Sequence, residues 1–223
     1  MNEKQIENNV DEYKVKLSGI RHFRDSKFFP RVLSFLKEKK NKRILEIGPG
    51  DGSGYEALKE VDADIVKNYE AVDLANMLLD KVKKDIKLYE KNLSEEKIPV
   101  KDNTYDIVMA FEVIEHVRNP WSFIEETKRV MKKGGYLLIS FPTGKSIFSK
   151  IKFLFTGNVC NFYKDNGHIT FFPKAVQENI FRDFKLIEEF SPRFNVPYFP
   201  YIKMPGRPAF ADKRLYIYRL KNK

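Results

Sequence analysis

Ile44-Leu45-Glu46-Ile47-Gly48-Pro49-Gly50-Asp51-Gly52-Ser53-Gly54 is the stretch on which the reading of this chain turns. A short run of strand character passes straight into a glycine-rich turn, and helix character begins at Ser53. Glycines at such a turn let the backbone approach a ligand closely and adopt φ above zero. In an open parallel sheet the turn falls at the carboxyl ends of the strands, beside the switch point where ligands bind. A glycine loop by itself is equally a tight structural turn, so its neighbours decide. Glu46 lies inside an apolar strand, where a carboxylate needs a cationic or hydrogen-bonding partner. Asp73 ends the next strand, 25 residues after Gly48, where an acid can accept both hydroxyls of a ribose. The dinucleotide spacing G-x-G-x-x-G fails, because Ser53 stands at its third place when Gly48 and Gly50 open it; Gly52-x-Gly54-x-x-Ala57 fits but starts five residues past the strand.

Outward from this turn, periodicity predicts helix from Ile20 to Lys40, strand from Arg43 to Ile47, helix from Ser53 to Glu60 and strand from Tyr69 to Val72. Helix is then expected from Asn76 to Lys84 and strand from Ile86 to Tyr89. Tyr105 to Phe111 is a near-continuous apolar run, as in a strand covered on both faces. Pro120 to Lys133 reads as helix, with Asn119 as N-cap and Gly134-Gly135 as its stop, followed by a strand from Tyr136 to Phe141. Beyond Pro142, residues 143 to 168 read as a long connection. Helix from Pro173 to Asp183, strand from Phe184 to Phe190 and strand from Arg214 to Leu220 close the chain. Alternating strands and helices call for a twisted α/β sheet with right-handed crossovers.

The chain has 223 residues, a suitable length for one such domain. We divide residues 1–223 into an N-terminal helical cap (1–40), a core (41–142) and a C-terminal part (143–223) carrying an insertion and the last strands. The polar start, the absence of an apolar run of spanning length and the single Cys160 predict a cytoplasmic protein. Net charge is +10, and residues 145 to 223 hold 15 Lys and Arg against 6 Asp and Glu, so the last third supplies 9 of the 10. It also holds 17 of the 31 aromatic residues. That pairing suits an anionic acceptor, a nucleic acid or a membrane surface, and equally a lysine-rich face over a Phe-rich core. Zinc-like Cys/His spacing, G-x-S-x-G and the P-loop pattern are absent.

Five segments taken together resemble the class I S-adenosylmethionine-dependent methyltransferases, especially the small "methyltransferase domain" enzymes with ubiquinone- and sugar-modifying members. Glu46-x-Gly48-x-Gly50-x-Gly52 is similar to their donor-binding motif, and Ala71-Val72-Asp73 to the strand that ends in the ribose acid. Asn92-Leu93 with Ile98-Pro99-Val100 and Tyr105-Asp106 resembles their acid, LPF and FD segment. Phe111-Glu112-Val113-Ile114-Glu115-His116-Val117 resembles the motif after strand four, and Arg129 to Gly135 the helix end before strand five. The match covers about residues 40 to 142. It implies a Rossmann-like doubly wound sheet of seven strands, order 3-2-1-4-5-7-6, with strand 7 antiparallel.

The same resemblance implies S-adenosylmethionine as methyl donor and S-adenosylhomocysteine as product. Donor contacts would come from Glu46, Gly48, Pro49, Gly50, Gly52, Asp73, Leu74, Asn92, Leu93, Phe111 and Glu112. Asn92 departs from the usual Asp, though its side-chain carbonyl keeps an acceptor for the adenine amino group. Positioning two reactants is most of the work of methyl transfer. A base is required only for a poorly ionised acceptor, and His168 is its candidate; His116 is read as structural, and His22 with Phe23, Phe28 and Phe29 as a lid. The expected acceptor is a small, glycan or lipid-linked anionic molecule methylated at oxygen, facing Lys145, Lys150, Lys152, Lys164, Arg193, Lys203 and Arg207. RNA is the alternative acceptor. A non-catalytic module that binds the donor or touches a membrane through Ile147, Phe148, Ile151, Phe153, Leu154 and Phe155 is the alternative of another class. No metal is expected.

Overall fold

The computed structural model describes residues 27–162, 167–191, 194–196, 199–204 and 211–222. In chain order the elements are α1 (Phe29–Lys37), β1 (Ile44–Ile47), α2 (Ser53–Val61), β2 (Tyr69–Asp73), α3 (Asp80–Lys83), β3 (Lys87–Glu90), β4 (Tyr105–Phe111), α4 (Pro120–Val130) and β5 (Met131–Pro142). They continue with α5 (Ile147–Thr156), α6 (Lys174–Ile180), β6 (Phe184–Phe190), β7 (Phe194–Val196), β8 (Phe199–Met204) and β9 (Lys213–Leu220). Single turns of 3-10 helix lie at Ala63–Val66 and Ile114–His116.

Seven strands form one sheet in the order β3-β2-β1-β4-β5-β9-β6. Pairing is parallel from β3 to β5, and β9 runs antiparallel to both β5 and β6. Counting only these strands, the order is the expected 3-2-1-4-5-7-6. Side chains that alternate along each strand divide between two cores. Leu45 and Ile47, Val108 and Ala110, Leu137 and Ile139, and Tyr216 and Tyr218 pack into one. Ile44, Ile107 with Met109, Leu138, and Leu215 with Ile217 pack into the other. That second core is closed by Val32, Phe35 and Leu36, one stripe of α1 at helical spacing behind Pro30. With β2 on one side of β1 and β4 on the other, the loops after β1 and β4 part and leave a crevice at the sheet's carboxyl edge.

Several boundaries differ from the sequence reading. Helix α4 stops at Val130, and Met131 already pairs with Tyr105, so Gly134 and Gly135 sit inside an irregular start of β5 instead of ending the helix. Gly134 has φ +72°, and a Cβ on Gly135 would meet the Asp106 carbonyl oxygen at 2.9 Å, so tertiary pairing claimed the glycines. The helix expected over 76–84 is one turn, Asp80–Lys83. The connection over 143–168 contains the ten-residue α5, capped by the Ser146 hydroxyl on the Ser149 N–H at 3.0 Å and ended by left-handed Gly157. The proline-rich segment holds a small antiparallel pair, β7 with β8. No helix among the described residues is long and apolar enough to cross a membrane.

Candidate functional site

At the crevice beside β1 a cleft is lined by Gly48, Asp73, Leu74, Asn92 and Leu93, with Val113, His116, Val117 and Phe123 along its other wall. About 580 Å³ of space within its lining is clear of protein atoms, open solvent included, so it is a shallow cleft and not an enclosed cavity. The glycine turn makes one rim. Gly48, Gly50 and Gly52 have φ of +73°, +57° and +81°, a region L side chains rarely enter. A Cβ on Gly48 would meet Val113 Cγ2 at 2.5 Å, whereas one on Gly50 would meet nothing within 4 Å. We therefore expect Gly48→Ala to lower the unfolding midpoint by several degrees and abolish ligand binding in calorimetry. Gly50→Ala should fold close to normally and lose affinity alone, since its strain of about 1 kcal/mol comes without a clash.

Asp73 ends β2 facing this turn. Its Oδ1 accepts from the Leu74 N–H at 2.7 Å and its Oδ2 from the Gly50 N–H at 3.4 Å. Burial outweighs both bonds and pushes its pKa up to about 6. The opposite rim is the turn after β3, where the Asn92 side-chain oxygen accepts from the Ser94 N–H at 3.1 Å and keeps a second lone pair. Of the eleven expected donor contacts, Gly48, Asp73, Leu74, Asn92 and Leu93 line the cleft, and Pro49, Gly50 and Gly52 belong to its rim turn.

The remaining three do not line it. Glu46 is buried beneath the turn, where its partner is the Tyr69 hydroxyl, and burial pushes its pKa up to about 7. Phe111 packs against the second core. Glu112, at φ +56°, accepts from the Ser140 hydroxyl at 3.0 Å and pairs with Lys213 Nζ at 2.5 Å. Phe28 is buried in the second core with Phe29 packed against it, so neither lines the cleft; His22 and Phe23 lie outside the described residues, as do Lys164, Arg193 and Arg207.

His116, read as structural, lies in the cleft wall, and the chain brings His168 to it. The rings stand edge to face with centroids 4.7 Å apart. Three bonds strap residues 167–170 to the turn after β4: His116 Nδ1 to the Gly167 carbonyl at 3.0 Å, and the Ile169 and Thr170 N–H groups to the Glu115 carbonyl at 2.9 and 3.1 Å. Burial holds His116 below the usual histidine range and brings His168 down to about 4. Phe162 packs on His168 at 5.4 Å, and Cys160 N–H donates to Ser149 Oγ at 2.8 Å, which ties α5 to the same wall.

A family model described as "Methyltransferase domain" matches residues 20–186. A probable S-adenosylmethionine-dependent methyltransferase of Mycolicibacterium smegmatis is 32% identical over 100 residues, covering 44% of this chain and 37% of that protein. A ubiquinone biosynthesis O-methyltransferase of Glaesserella parasuis is 29% identical over 125 residues, 50% of this chain and 51% of that one. The chain thus spans about half or less of the length of these curated relatives. Among solved structures, a chain of the complex between the Haloferax volcanii Trm112 methyltransferase activator and a methyltransferase aligns with TM-score 0.66 at 14% identity over 96% of both chains. A Bacillus halodurans methyltransferase aligns with TM-score 0.61 at 19% identity over 86% of this chain and all of that one. At such identities the structural likeness concerns the fold.

Proposed function

The chain belongs to the methyltransferase-domain family, class I and S-adenosylmethionine-dependent in fold and in the names of its relatives, and from that premise we propose that it methylates an oxygen of a small, glycan or lipid-linked anionic acceptor. The observation that carries the donor half is the convergence of Gly48, Asp73 and Asn92 on one cleft. The residues fit an adenosyl group: Asp73 offers a carboxylate to the ribose hydroxyls, Asn92 an acceptor to the adenine amino group, and Leu93, Val117 and Phe123 an apolar wall to the base. The glycine turn lets the backbone come close to the rest of the donor. When bound, the donor supplies a methyl group on a positively charged sulfur. The chain's own task is to align an acceptor oxygen behind that carbon and keep water out, worth up to ~7–11 kcal/mol as effective molarity.

For the acceptor half, α5 is the telling element. Ile147, Ile151 and Phe153 are about half exposed, and Leu154 and Phe155 are 79% and 81% exposed. Lys150 and Lys152 lie among them, and residues 145 to 162 contain no acid. An apolar, basic helix tied to the cleft wall suits an acceptor with a hydrophobic tail and an anionic head. The O-methyltransferase name of the Glaesserella parasuis relative supports oxygen as the target. His168 packs on the cleft residue His116, and with its pKa near 4 it would be a poor store for a proton from an acceptor hydroxyl.

Incubation with radiolabelled donor and separated lipid, glycan, RNA, protein and metabolite fractions tests the proposal. Label is expected in lipid-linked, glycan or small anionic material, and its retention by Leu154→Glu/Phe155→Glu should fall by tenfold or more for a lipid-linked acceptor. Ribonuclease-sensitive label would select the RNA reading instead.

A further inference from the structure

Glu115 is fully buried, and neither of its carboxylate oxygens meets a hydrogen-bond donor. Such a carboxylate is costly unless something compensates it. Two imidazoles are packed against it: one ligating atom from each of Glu115, His116 and His168 lies within 4.8 Å of the other two, and His168 Nε2 is 3.8 Å from Glu115 Oε1. Lys213, the cation that reaches toward Glu115, is engaged by Glu112 at 2.5 Å, so two carboxylates share one lysine.

We propose that Glu115, His116 and His168 form a divalent transition-metal site in the wall of the cleft. At His116 the second-shell geometry is that of such sites, in which a ligating histidine fixes its orientation through its other nitrogen. His116 Nδ1 lies 3.0 Å from the Gly167 carbonyl, which leaves Nε2 to bind. An ion about 2.0–2.2 Å from each ligand would draw tetrahedral neighbours to roughly 3.3 Å, a closure of up to about 1.5 Å from the separations of up to 4.8 Å seen here. Two imidazoles and a carboxylate favour zinc, iron, cobalt or nickel over magnesium or calcium.

Three protein ligands leave at least one position open, and His116 joins the site to the cleft that it lines. What the open position would take rests on the methyltransferase reading: an acceptor hydroxyl, held and acidified as His168 alone cannot do. The hydroxyl's proton would leave to water, and its oxygen would form the new C–O bond as the donor's C–S bond breaks.

The test uses the full chain, stripped with chelator and titrated with Co²⁺ followed by visible absorption, with Zn²⁺ then displacing it in calorimetry. One ion per chain is expected, at micromolar affinity or tighter, with a ligand-field spectrum of low coordination number. His168→Gln and Glu115→Gln should each weaken binding at least 100-fold while the metal-free unfolding midpoint of His168→Gln stays within a few degrees of the parent. Absence of stoichiometric binding, or binding untouched by both substitutions, would overturn the site. Calorimetry with S-adenosylmethionine runs in parallel. A chain that binds cobalt through these residues but no donor upholds the metal site and defeats the methyltransferase reading; the reverse result defeats the metal site alone.

Discussion

Asp73→Ala is expected to weaken S-adenosylmethionine binding by at least 100-fold in calorimetry. The carboxylate stands at the tip of β2, across from the glycine turn, where it can accept two hydroxyls of one ribose. Hydrogen bonds to an ionised partner contribute roughly 1.5–3 kcal/mol each, so losing two removes about 3–6 kcal/mol, or two to four orders of magnitude. An unchanged affinity would remove the ribose contact from the proposed site.

The same residue predicts a pH signature that separates lost binding from lost folding. Burial raises the pKa of Asp73 in the folded chain to about 6, above its value of about 4 when unfolded. A raised folded pKa means stability that is fully present below about pH 4 and declines as pH rises through 6, because the fold carries the ionised form at a cost. The parent's unfolding midpoint should therefore fall as pH rises from about 4 to 6 through this group, and Asp73→Ala should lack that part of the slope. Donor affinity has the opposite slope, since only the carboxylate accepts both hydroxyls. Parent affinity should drop below about pH 6, and the substituted chain should show no such drop.

Much of the donor side was legible because its requirements are local. A turn that needs three positive φ values writes itself as glycines, and an acid at the end of a strand is visible from the strand alone. The strand order came from resemblance to a family, since period-2 alternation sets faces but not neighbours. Alternation did contain one signal left unused. Ile47 lines the cleft, so Glu46 beside it points to the opposite face, and there it meets Tyr69. What the sequence hid was decided at a distance. Helix α5 buries only Ser149, so its apolar residues show no inward stripe to read. His116 and His168 meet only because residues 167–170 are strapped to the turn after β4. The start of β5 was masked by a glycine pair that looks like a helix stop until Met131 is seen to pair with Tyr105.

Arg129→Met should destabilise the chain by about 3–5 kcal/mol, a fall of roughly 10 °C in unfolding midpoint, without touching a cleft residue. Arg129 closes the last turn of α4, and all of its donors are directed at fixed acceptors. Nε and Nη2 meet the two oxygens of Glu126 at 2.8 and 2.7 Å. Nη1 meets the Val100 carbonyl at 2.8 Å and Asp102 at 2.7 Å, and Nη2 also meets the Ile98 carbonyl at 2.9 Å. Glu126 is buried and in turn takes the Ile98 N–H at 2.7 Å. The substitution therefore strands a buried carboxylate and two carbonyls together, where an exposed ion pair would cost little. Arg129→Lys should recover only part of the loss, because a compact ammonium cannot span a fork built for a planar guanidinium. Adding Glu126→Gln to Arg129→Met should cost less than the sum of the two single changes, since the charge left behind is then gone. The clamped segment, Ile98 to Asp102, joins the turn bearing Asn92 and Leu93 to β4. Loosening it should lower donor affinity as well, and an affinity that survives the 10 °C loss would show that the far rim of the cleft is held by β3 alone.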